Sequence, residues 1–247
     1  MKNKIIILIT FFVLLVIWLA PANLAEGLIA SNKNIDATGL KGSIWSGSVE
    51  QLVVNGWQLD DVGYELSFFS LITGNMGGNA HINKGDIIGS LEFETDGAEN
   101  FSLAEASLAT EAYLFEKYLP FPGINLDGRV STANLFVTIE NKKAKRLDGF
   151  TTWDDASITI RNNVIKLGKF QINWTTNPDS QLIVGNIVKT DNALALDGRI
   201  TLDKQGLFEF KGGISTKIQK NIYNTFLLFA DGNATNDRLP IKYKKKL

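Results

Sequence analysis

The sequence contains no cysteine, a single histidine (His81) and only five prolines. Without cysteine there can be no disulfide framework, thiolate zinc site, iron–sulfur cluster or cysteine nucleophile. A His-rich metal site is excluded, and a Ser-His-Asp mechanism would have to use His81. The apolar neighbours Ala80 and Ile82 predict that His81 faces solvent on a strand. We therefore expect no catalytic residue, no metal site and no cofactor.

Long hydrophobic runs are also scarce, and the one that stands out lies near the start. Ile5 to Ala20 is a run of sixteen residues without a charge or an amide, preceded by Lys2 and Lys4. At about 1.5 Å per residue it spans about 24 Å, less than the roughly 30 Å hydrocarbon core of a bilayer. We interpret the run as a membrane anchor, represented by Ile5, Trp18 and Ala20, with Trp18 at the interface.

The flanking lysines predict the orientation of the chain in the membrane. Because basic residues stay on the cytoplasmic side, Lys2 and Lys4 place the N-terminus in the cytoplasm and the body, residues 27–247, in the periplasm. Ala20-Pro21-Ala22 also fits the small-residue cleavage site of a signal peptide, although Pro21 disfavours cleavage. We favour an uncleaved single-pass inner-membrane anchor in residues 1–26, with cleavage after Ala22 as the alternative.

Charge is distributed unevenly along the rest of the chain. From Glu26 to Asp237 there are 26 acidic and 18 basic residues, whereas the last ten residues carry five basic ones. The acidic body argues against nucleic acid as a partner, because phosphate neutralisation needs a basic surface. The basic tail could meet anionic lipid or an acidic partner. It is also typical of a final edge strand, Arg238 to Lys246, that lysines protect from aggregation, and we favour this interpretation.

The body is predicted to be mainly β, because apolar residues recur at every second position between Gly- and Asn-rich turns. We expect elongated, curled antiparallel sheets in two similar halves, about 27–118 and 119–247. A one-residue slip in the apolar alternation at Gly168-Lys169 predicts a β-bulge. Helical spacing is scarce, and it predicts one or two short helices, Thr110 to Tyr118 and Ile214 to Phe229.

A short motif repeats in the second part of the chain. Asn125 to Ser131 reads NLDGRVS and Ala195 to Thr201 reads ALDGRIT, with a partial copy at Leu147 to Phe150. Asp-Gly before an alternating run is typical of a turn that enters a strand. The spacing of these aspartates does not fit a calcium loop. We interpret the repeats as a record of two β-modules that share one architecture.

Four tryptophans of the body, Trp45, Trp57, Trp153 and Trp174, are the main candidates for a core or a contact surface. Large rings in a modest β body are either buried or displayed on a binding face. Burial is the default expectation. The alternative is a curled sheet with an open apolar face that receives a lipid chain or a partner strand.

The segment Gly39 to Gly47, GLKGSIWSG, followed by Val53-Val54 and Trp57, resembles the opening of the periplasmic domain of the type II secretion system protein N family. The two Leu-Asp-Gly-Arg motifs and Thr152 to Asp155, TWDD, fall in the same order. The resemblance implies a bitopic inner-membrane protein, non-enzymatic and accessory to type II protein secretion. Its implied partners are other secretion components and, through the anchor, inner-membrane lipid.

On this resemblance we expect protein–protein contacts in the periplasm. Ile44, Trp45 and Trp57 are the candidates for the core or contact face of the first half, with Trp153 and Trp174 in the second. The alternative is a lipid-binding or lipid-transfer module similar to AsmA-type proteins, with lipid in an apolar sheet groove.

Overall fold

The computed structural model describes residues 20–25, 35–68, 70, 74–96, 99–119, 123–160, 162–188, 192–227 and 230–246. These residues contain fourteen strands and few helices, which confirms the mainly β prediction. The chain divides into two compact units, residues 1–96 (unit 1) and 97–247 (unit 2). The sequence placed a boundary near residue 118, inside unit 2.

The predicted membrane anchor lies almost entirely outside the described residues. Ile5 and Trp18 belong to the part of the chain that the structure leaves out, and only Ala20 is described. None of the helices in the described part of the chain is long and apolar enough to cross a membrane.

Unit 1 is an antiparallel sheet with its strands paired in the order β1-β3-β4-β5-β6, and β2 also pairs with β3. A short 3₁₀ helix, Ala22–Ala25, precedes the strands. The strands are β1 (Ile35–Thr38), β2 (Lys41–Gly42), β3 (Ser46–Val54), β4 (Trp57–Leu66), β5 (Met76–Lys84) and β6 (Ile87–Thr95).

The core of unit 1 follows from the alternation of its strands. Val49 pairs with Val62, and Val62 pairs with Ile82, so three buried side chains align across β3, β4 and β5. The two-residue turn Asn55-Gly56, with φ of +50° and +79°, connects β3 to β4 as Asn-Gly turns commonly do. This register places the start of β4 and the end of β4 at opposite ends of the sheet.

Unit 2 is a second antiparallel meander, with its strands paired in sequence order. A 3₁₀ helix, Ala112–Tyr118, connects its first two strands, and an α-helix, α1 (Lys220–Phe226), lies between its last two. The strands are β7 (Phe101–Glu111), β8 (Ile124–Glu140), β9 (Lys143–Ile160), β10 (Asn163–Asn177), β11 (Leu182–Val188), β12 (Asp197–Leu202), β13 (Leu207–Ser215) and β14 (Arg238–Lys246).

Several sequence predictions are confirmed in unit 2. The register of β10 against β9 shifts at Gly168, whose φ is +86°, so the predicted bulge is present. The terminal strand begins at Arg238 and ends at Lys246 as expected. The first predicted helix is present as the 3₁₀ helix Ala112–Tyr118.

Two predictions need correction. The Asp-Gly pairs at Asp127 and Asp148 lie inside β8 and β9 beside register shifts, so they mark bulges rather than turns that enter strands. Gly128 and Gly149 adopt φ of +101° and +125°, values that a bulge in these strands requires. The second predicted helix, Ile214 to Phe229, was too long, because Ile214 is buried in β13 and α1 begins only at Lys220.

The two copies of the repeated motif occupy different strands of the same unit. Both copies lie in unit 2, one in β8 and one at the start of β12. In the second copy, the Arg238 guanidinium pairs with Asp197 at 2.5 Å and donates hydrogen bonds to the carbonyls of Ala195 and Gly213. The aspartate of this copy therefore helps to hold β14 against β12 and β13.

The core of unit 2 lies on one face of its sheet, here called the inner face. It is concentrated at one end of that face. It joins buried side chains of β9, β10, β13 and β14 with Ile222 of α1 and Leu194 of the segment between β11 and β12. Ile214 and Leu239, which pair across β13 and β14, are its most enclosed members. This end of the inner face is therefore covered by α1 and by the segment around Leu194.

The other end of the inner face is less enclosed. Trp174 of β10 is half-buried there, and its indole N–H donates to Thr151 Oγ1 at 2.9 Å. Its ring lies over Gly185 of β11, where a Cβ atom would approach the ring to 2.5 Å. The absence of a side chain at Gly185 therefore leaves the space that the Trp174 indole occupies on the sheet.

We expect Gly185→Ala to lower the free energy of unfolding of unit 2 by about 2 kcal/mol, because overpacking against a rigid ring forces displacement of Trp174. The check is urea unfolding of Gly185→Ala, Trp174→Leu and the double variant. If the clash is the cause, the two losses are less than additive. Full additivity would contradict this account of Gly185.

Candidate functional site

The segment that carries the family resemblance folds into a tight hairpin at one end of unit 1, here called the hairpin loop (residues 43–46). It connects β2 to β3, and Lys41 and Gly42 pair with Ser48 and Gly47. Ser43 closes the loop, because its Oγ accepts from the N–H groups of Trp45 and Ser46 at 3.2 Å each. The Ser43 N–H donates to the Ser46 carbonyl at 2.9 Å.

The glycines of this motif are required by close backbone approach. A Cβ atom on Gly47 would lie 2.2 Å from the Lys41 carbonyl oxygen and 2.8 Å from the Tyr64 hydroxyl. Both distances are far below van der Waals contact, so a side chain at Gly47 cannot coexist with the paired β2 and β3. The Gly-x-x-Trp-Ser-Gly spacing therefore encodes the hairpin itself.

Aromatic residues hold the hairpin loop against the rest of unit 1. The Tyr64 hydroxyl donates to the Ser43 carbonyl at 2.7 Å, and burial raises the pKa of this hydroxyl. The Trp45 ring meets Phe68 edge-to-face with centroids 5.3 Å apart. The Trp45 carbonyl also accepts from the Leu66 N–H at 2.6 Å. The loop is thus fixed to the end of β4.

The hairpin loop also binds the segment that follows the predicted anchor. The Ile44 N–H donates to the Ala20 carbonyl at 2.9 Å, and Pro21 forms an antiparallel bridge with Ser43. Ala22 is buried beside them. The last residue of the apolar run is therefore bonded directly to the folded body.

The predicted contact residues of unit 1 lie at two separate places. Ile44 and Trp45 belong to the hairpin loop, whereas Trp57 lies at the other end of β4 and pairs with Val54. At about 3.3 Å per residue, the length of β4 separates Trp57 from Leu66 by about 30 Å. All three side chains are partly buried, and they do not form one contact face.

The predicted tryptophans of unit 2 lie on the inner face. Trp153 pairs with Phe170, their ring centroids are 5.8 Å apart, and its indole N–H donates to the Asp127 carbonyl at 3.0 Å. Trp153 packs against the core, whereas Trp174 lies farther along β10 on the less enclosed part.

The outer edge of β14 is a second candidate contact site. The Asp231 N–H donates to the Pro240 carbonyl, so this carbonyl points away from β13. By the alternation of a strand, the backbone groups of Lys242, Lys244 and Lys246 point to the same side. Within the described ranges no further strand pairs along this edge from Lys242 to Lys246.

Lysines dominate the side chains of this edge. Lys244 contacts Glu209 at 3.0 Å and Lys242 contacts Asp231 at 3.6 Å. The hydrogen bond from Lys244, reinforced by Lys211, lowers the pKa of Glu209, so this carboxylate remains charged at neutral pH. Lys245 and Lys246 are exposed and form no ion pair with a carboxylate of the described chain.

In the described residues, the side chains considered for catalysis or metal binding lie apart from one another. His81 is exposed on β5 between Gly63 and Ser90, as its neighbours predicted. No three histidine, aspartate or glutamate side chains of the described residues are grouped closely enough to hold a metal ion. Asp61 and Asp154 form ion pairs with Lys84 and Lys169 at 3.0 and 2.7 Å.

Two open clefts accompany these features. One, of about 530 Å³, lies between the start of β10 and the approach to α1, beside Val164, Lys217 and Ile222. The other, of about 450 Å³, lies in unit 1 beside Glu65, Ser70 and Glu94. Sequence patterns gave no sign of either cleft, because each is built from segments distant in the chain.

The groups that fix the hairpin loop were also missed as site residues. Tyr64 and Phe68 continue the apolar alternation of Val62 and Leu66 in the sequence, which is the signal that could have placed them beside the motif. Glu209 carried no such signal, because its lysine partner Lys244 lies on another strand.

A family model described as type II secretion system (T2SS), protein N, matches residues 33–222, about three quarters of the chain. The match begins just before β1 and ends within α1. No curated protein and no solved structure matches the chain significantly.

Proposed function

Because the chain belongs to the type II secretion system protein N family, we propose that it is a non-enzymatic component of the type II secretion machine that makes protein–protein contacts in the periplasm. The observation that carries the proposal is the family match over residues 33–222, which includes the hairpin loop and all but the last strand.

The proposed location is the inner membrane, with a single crossing and a periplasmic body. This rests on the apolar run Ile5 to Ala20 and on Lys2 and Lys4 before it. The direct bonding of Ala20 to the hairpin loop supports a body that begins where the apolar run ends. Inner-membrane lipid would then be a partner through the anchor.

The proposed contact is strand addition along the outer edge of β14. An unpaired edge offers N–H and C=O groups to an extended segment of another protein. Four lysines among the nine residues of this strand repel a second copy of the same strand, so they oppose self-association. The same charges favour an extended segment rich in aspartate or glutamate, which is the partner chemistry we propose.

The lipid-groove alternative has no support from unit 2. It requires an apolar channel open at both ends, whereas one end of the inner face is covered by α1 and by the buried pair Ile214 and Leu239. The lipid-groove alternative therefore stays a prediction that rests on the apolar alternation of the strands alone.

The proposed role is tested by deleting the gene in a bacterium with an active type II system and by measuring export of its secreted enzymes. We expect these folded enzymes to accumulate in the periplasm, including in sensitised backgrounds, and to be exported again on complementation. Normal export in every background would contradict the proposed role.

The proposed edge contact is tested by reversing charge on two lysines that have no carboxylate partner in the described chain. Lys245→Glu combined with Lys246→Glu should weaken binding to an acidic partner segment about tenfold, since close charge pairs contribute on the order of 1–2 kcal/mol. The matched control is Lys143→Glu with Lys204→Glu, two exposed lysines outside β14. Complementation of export and copurification of secretion components provide the measurement, and equal behaviour of both variants would exclude this edge.

A further inference from the structure

We propose that the hairpin end of unit 1 lies in the interfacial layer of the membrane, where lipid covers its exposed apolar side chains. The hairpin end comprises residues 20–25, the hairpin loop, the end of β4 with Phe68, and the start of β5. This inference rests on the proposed membrane anchor and adds a second lipid contact to it.

The first reason is that no spacer separates the predicted anchor from the folded body. Ala20 ends the apolar run, and its carbonyl accepts the Ile44 N–H at 2.9 Å. The bridge between Pro21 and Ser43 makes a second connection. If Ala20 is at the membrane boundary, the hairpin loop is within one hydrogen bond of that boundary.

The second reason is the length of the apolar run. Pro21 is bridged to Ser43, and Ala22–Ala25 form a separate 3₁₀ helix, so a transmembrane helix cannot be extended through these residues. The run Ile5 to Ala20 then spans about 24 Å of a hydrocarbon core of roughly 30 Å. A span that short draws its flanking residues towards the bilayer or thins the bilayer. Either response brings the hairpin end to the lipid.

The third reason is the composition of this end. Leu24 is 65% exposed and Met76 is 45% exposed. Met76 begins β5, and the Ser67 N–H donates to the carbonyl of its neighbour Gly77, so Met76 lies beside the end of β4. Trp45 and Phe68, in edge-to-face contact, belong to the same end. Apolar side chains with tryptophan are typical of membrane interfaces.

The charges at the hairpin end argue against an electrostatic attraction to lipid head groups. Residues 20–25, 43–46 and 66–76 contain no lysine and no arginine. The side chains of Glu65, Glu92 and Glu94 line the cleft at this end, and the Glu94 carboxylate accepts from Asn75 at 2.6 Å, so anionic head groups are repelled here rather than attracted. The attraction to lipid is therefore apolar, and it does not depend on anionic head groups or on low salt.

The absence of cysteine makes the test direct, because any introduced thiol is unique. Leu24→Cys and Met76→Cys are labelled with an environment-sensitive fluorophore in the full chain, reconstituted into vesicles of phosphatidylethanolamine and phosphatidylglycerol. Matched controls of similar exposure are Val164→Cys (63%) and Phe150→Cys (42%). Gln58→Cys, exposed near the other end of β4, is the control within unit 1.

We expect lipids with a spin label near the head group to quench positions 24 and 76 about twofold more than position 58, because interfacial side chains lie about 5–10 Å into the boundary. High salt should leave the difference unchanged. Equal quenching at positions 24, 76 and 58 in membrane-inserted protein would contradict the proposed interfacial position of the hairpin end. It would not contradict the proposed membrane anchor. Failure of the wild-type chain to float with vesicles would overturn the anchor, and with it the proposed location. Near-ultraviolet circular dichroism confirms the fold of each variant, and position 24, outside the sheet, suffices if Met76→Cys misfolds.

Discussion

Leu239→Ala is expected to lower the free energy of unfolding of unit 2 by about 3 kcal/mol, because it removes a fully enclosed side chain from the core and leaves a cavity. Leu239 is 1% exposed on β14 and pairs with Ile214, which is 0% exposed on β13. Urea unfolding of the full chain in detergent, followed by tryptophan fluorescence, measures the change.

The matched control is Leu207→Ala, the same substitution on the neighbouring strand. Leu207 is 38% exposed and lies at the other end of β13. Its loss should cost less than about 1 kcal/mol, because partly exposed side chains contribute less burial. If both substitutions lower the free energy of unfolding equally, the end of the inner face at Ile214 and Leu239 is not its enclosed part.

This prediction concerns a strand that the family match does not reach. The match ends at Ile222, whereas Leu239 and Ile241 of β14 complete the same core as Ile222 itself. The last strand is thus part of the fold of unit 2 and also, in the proposal above, its contact edge. Leu239→Ala therefore tests the support of the edge, and charge reversal at Lys245 and Lys246 tests the edge itself.

Local pattern predicted the strand content well, because the apolar period of two is written directly in the sequence. The bulge at Gly168 was predictable for the same reason, since an extra residue shifts the phase of the alternation. The bulges at Gly128 and Gly149 were not, because Asp-Gly suits a turn and a bulge equally. Ile214 was misplaced because its spacing to Ile218 and Ile222 continues across the end of β13.

The candidate sites depended on contacts that no local pattern encodes. The hairpin motif could be located from sequence, but its partners could not, because Tyr64 and Ala20 are each more than twenty residues away from Ser43 or Ile44 in sequence. Trp45 and Trp57 were grouped because they are close in the chain, yet they lie at opposite ends of β4. Because the turn at Asn55-Gly56 reverses the chain, Trp57 lies beside Val54, whereas Trp45 lies beside Leu66 at the far end of β4.

Gly47→Ala is expected to lower the free energy of unfolding of unit 1 by about 3 kcal/mol, because the added Cβ overlaps the Lys41 carbonyl in a place where both strands are backbone-paired. Relief requires β2 to leave β3, which opens the hairpin loop. The loop then loses its bonds to Tyr64 and Ala20.

The control is Gly63→Ala on the next strand, where the nearest atom to a Cβ, the His81 carbonyl oxygen, is 4.0 Å away. This substitution should change the unfolding free energy by less than about 0.5 kcal/mol. Hydrogen exchange of the amide of Ile44, which donates to Ala20, reports the loop itself: it should accelerate in Gly47→Ala and stay protected in Gly63→Ala. Protection of Ile44 in both variants would mean that the hairpin loop stays bonded to Ala20 despite the added Cβ at position 47, and it would contradict this account of Gly47.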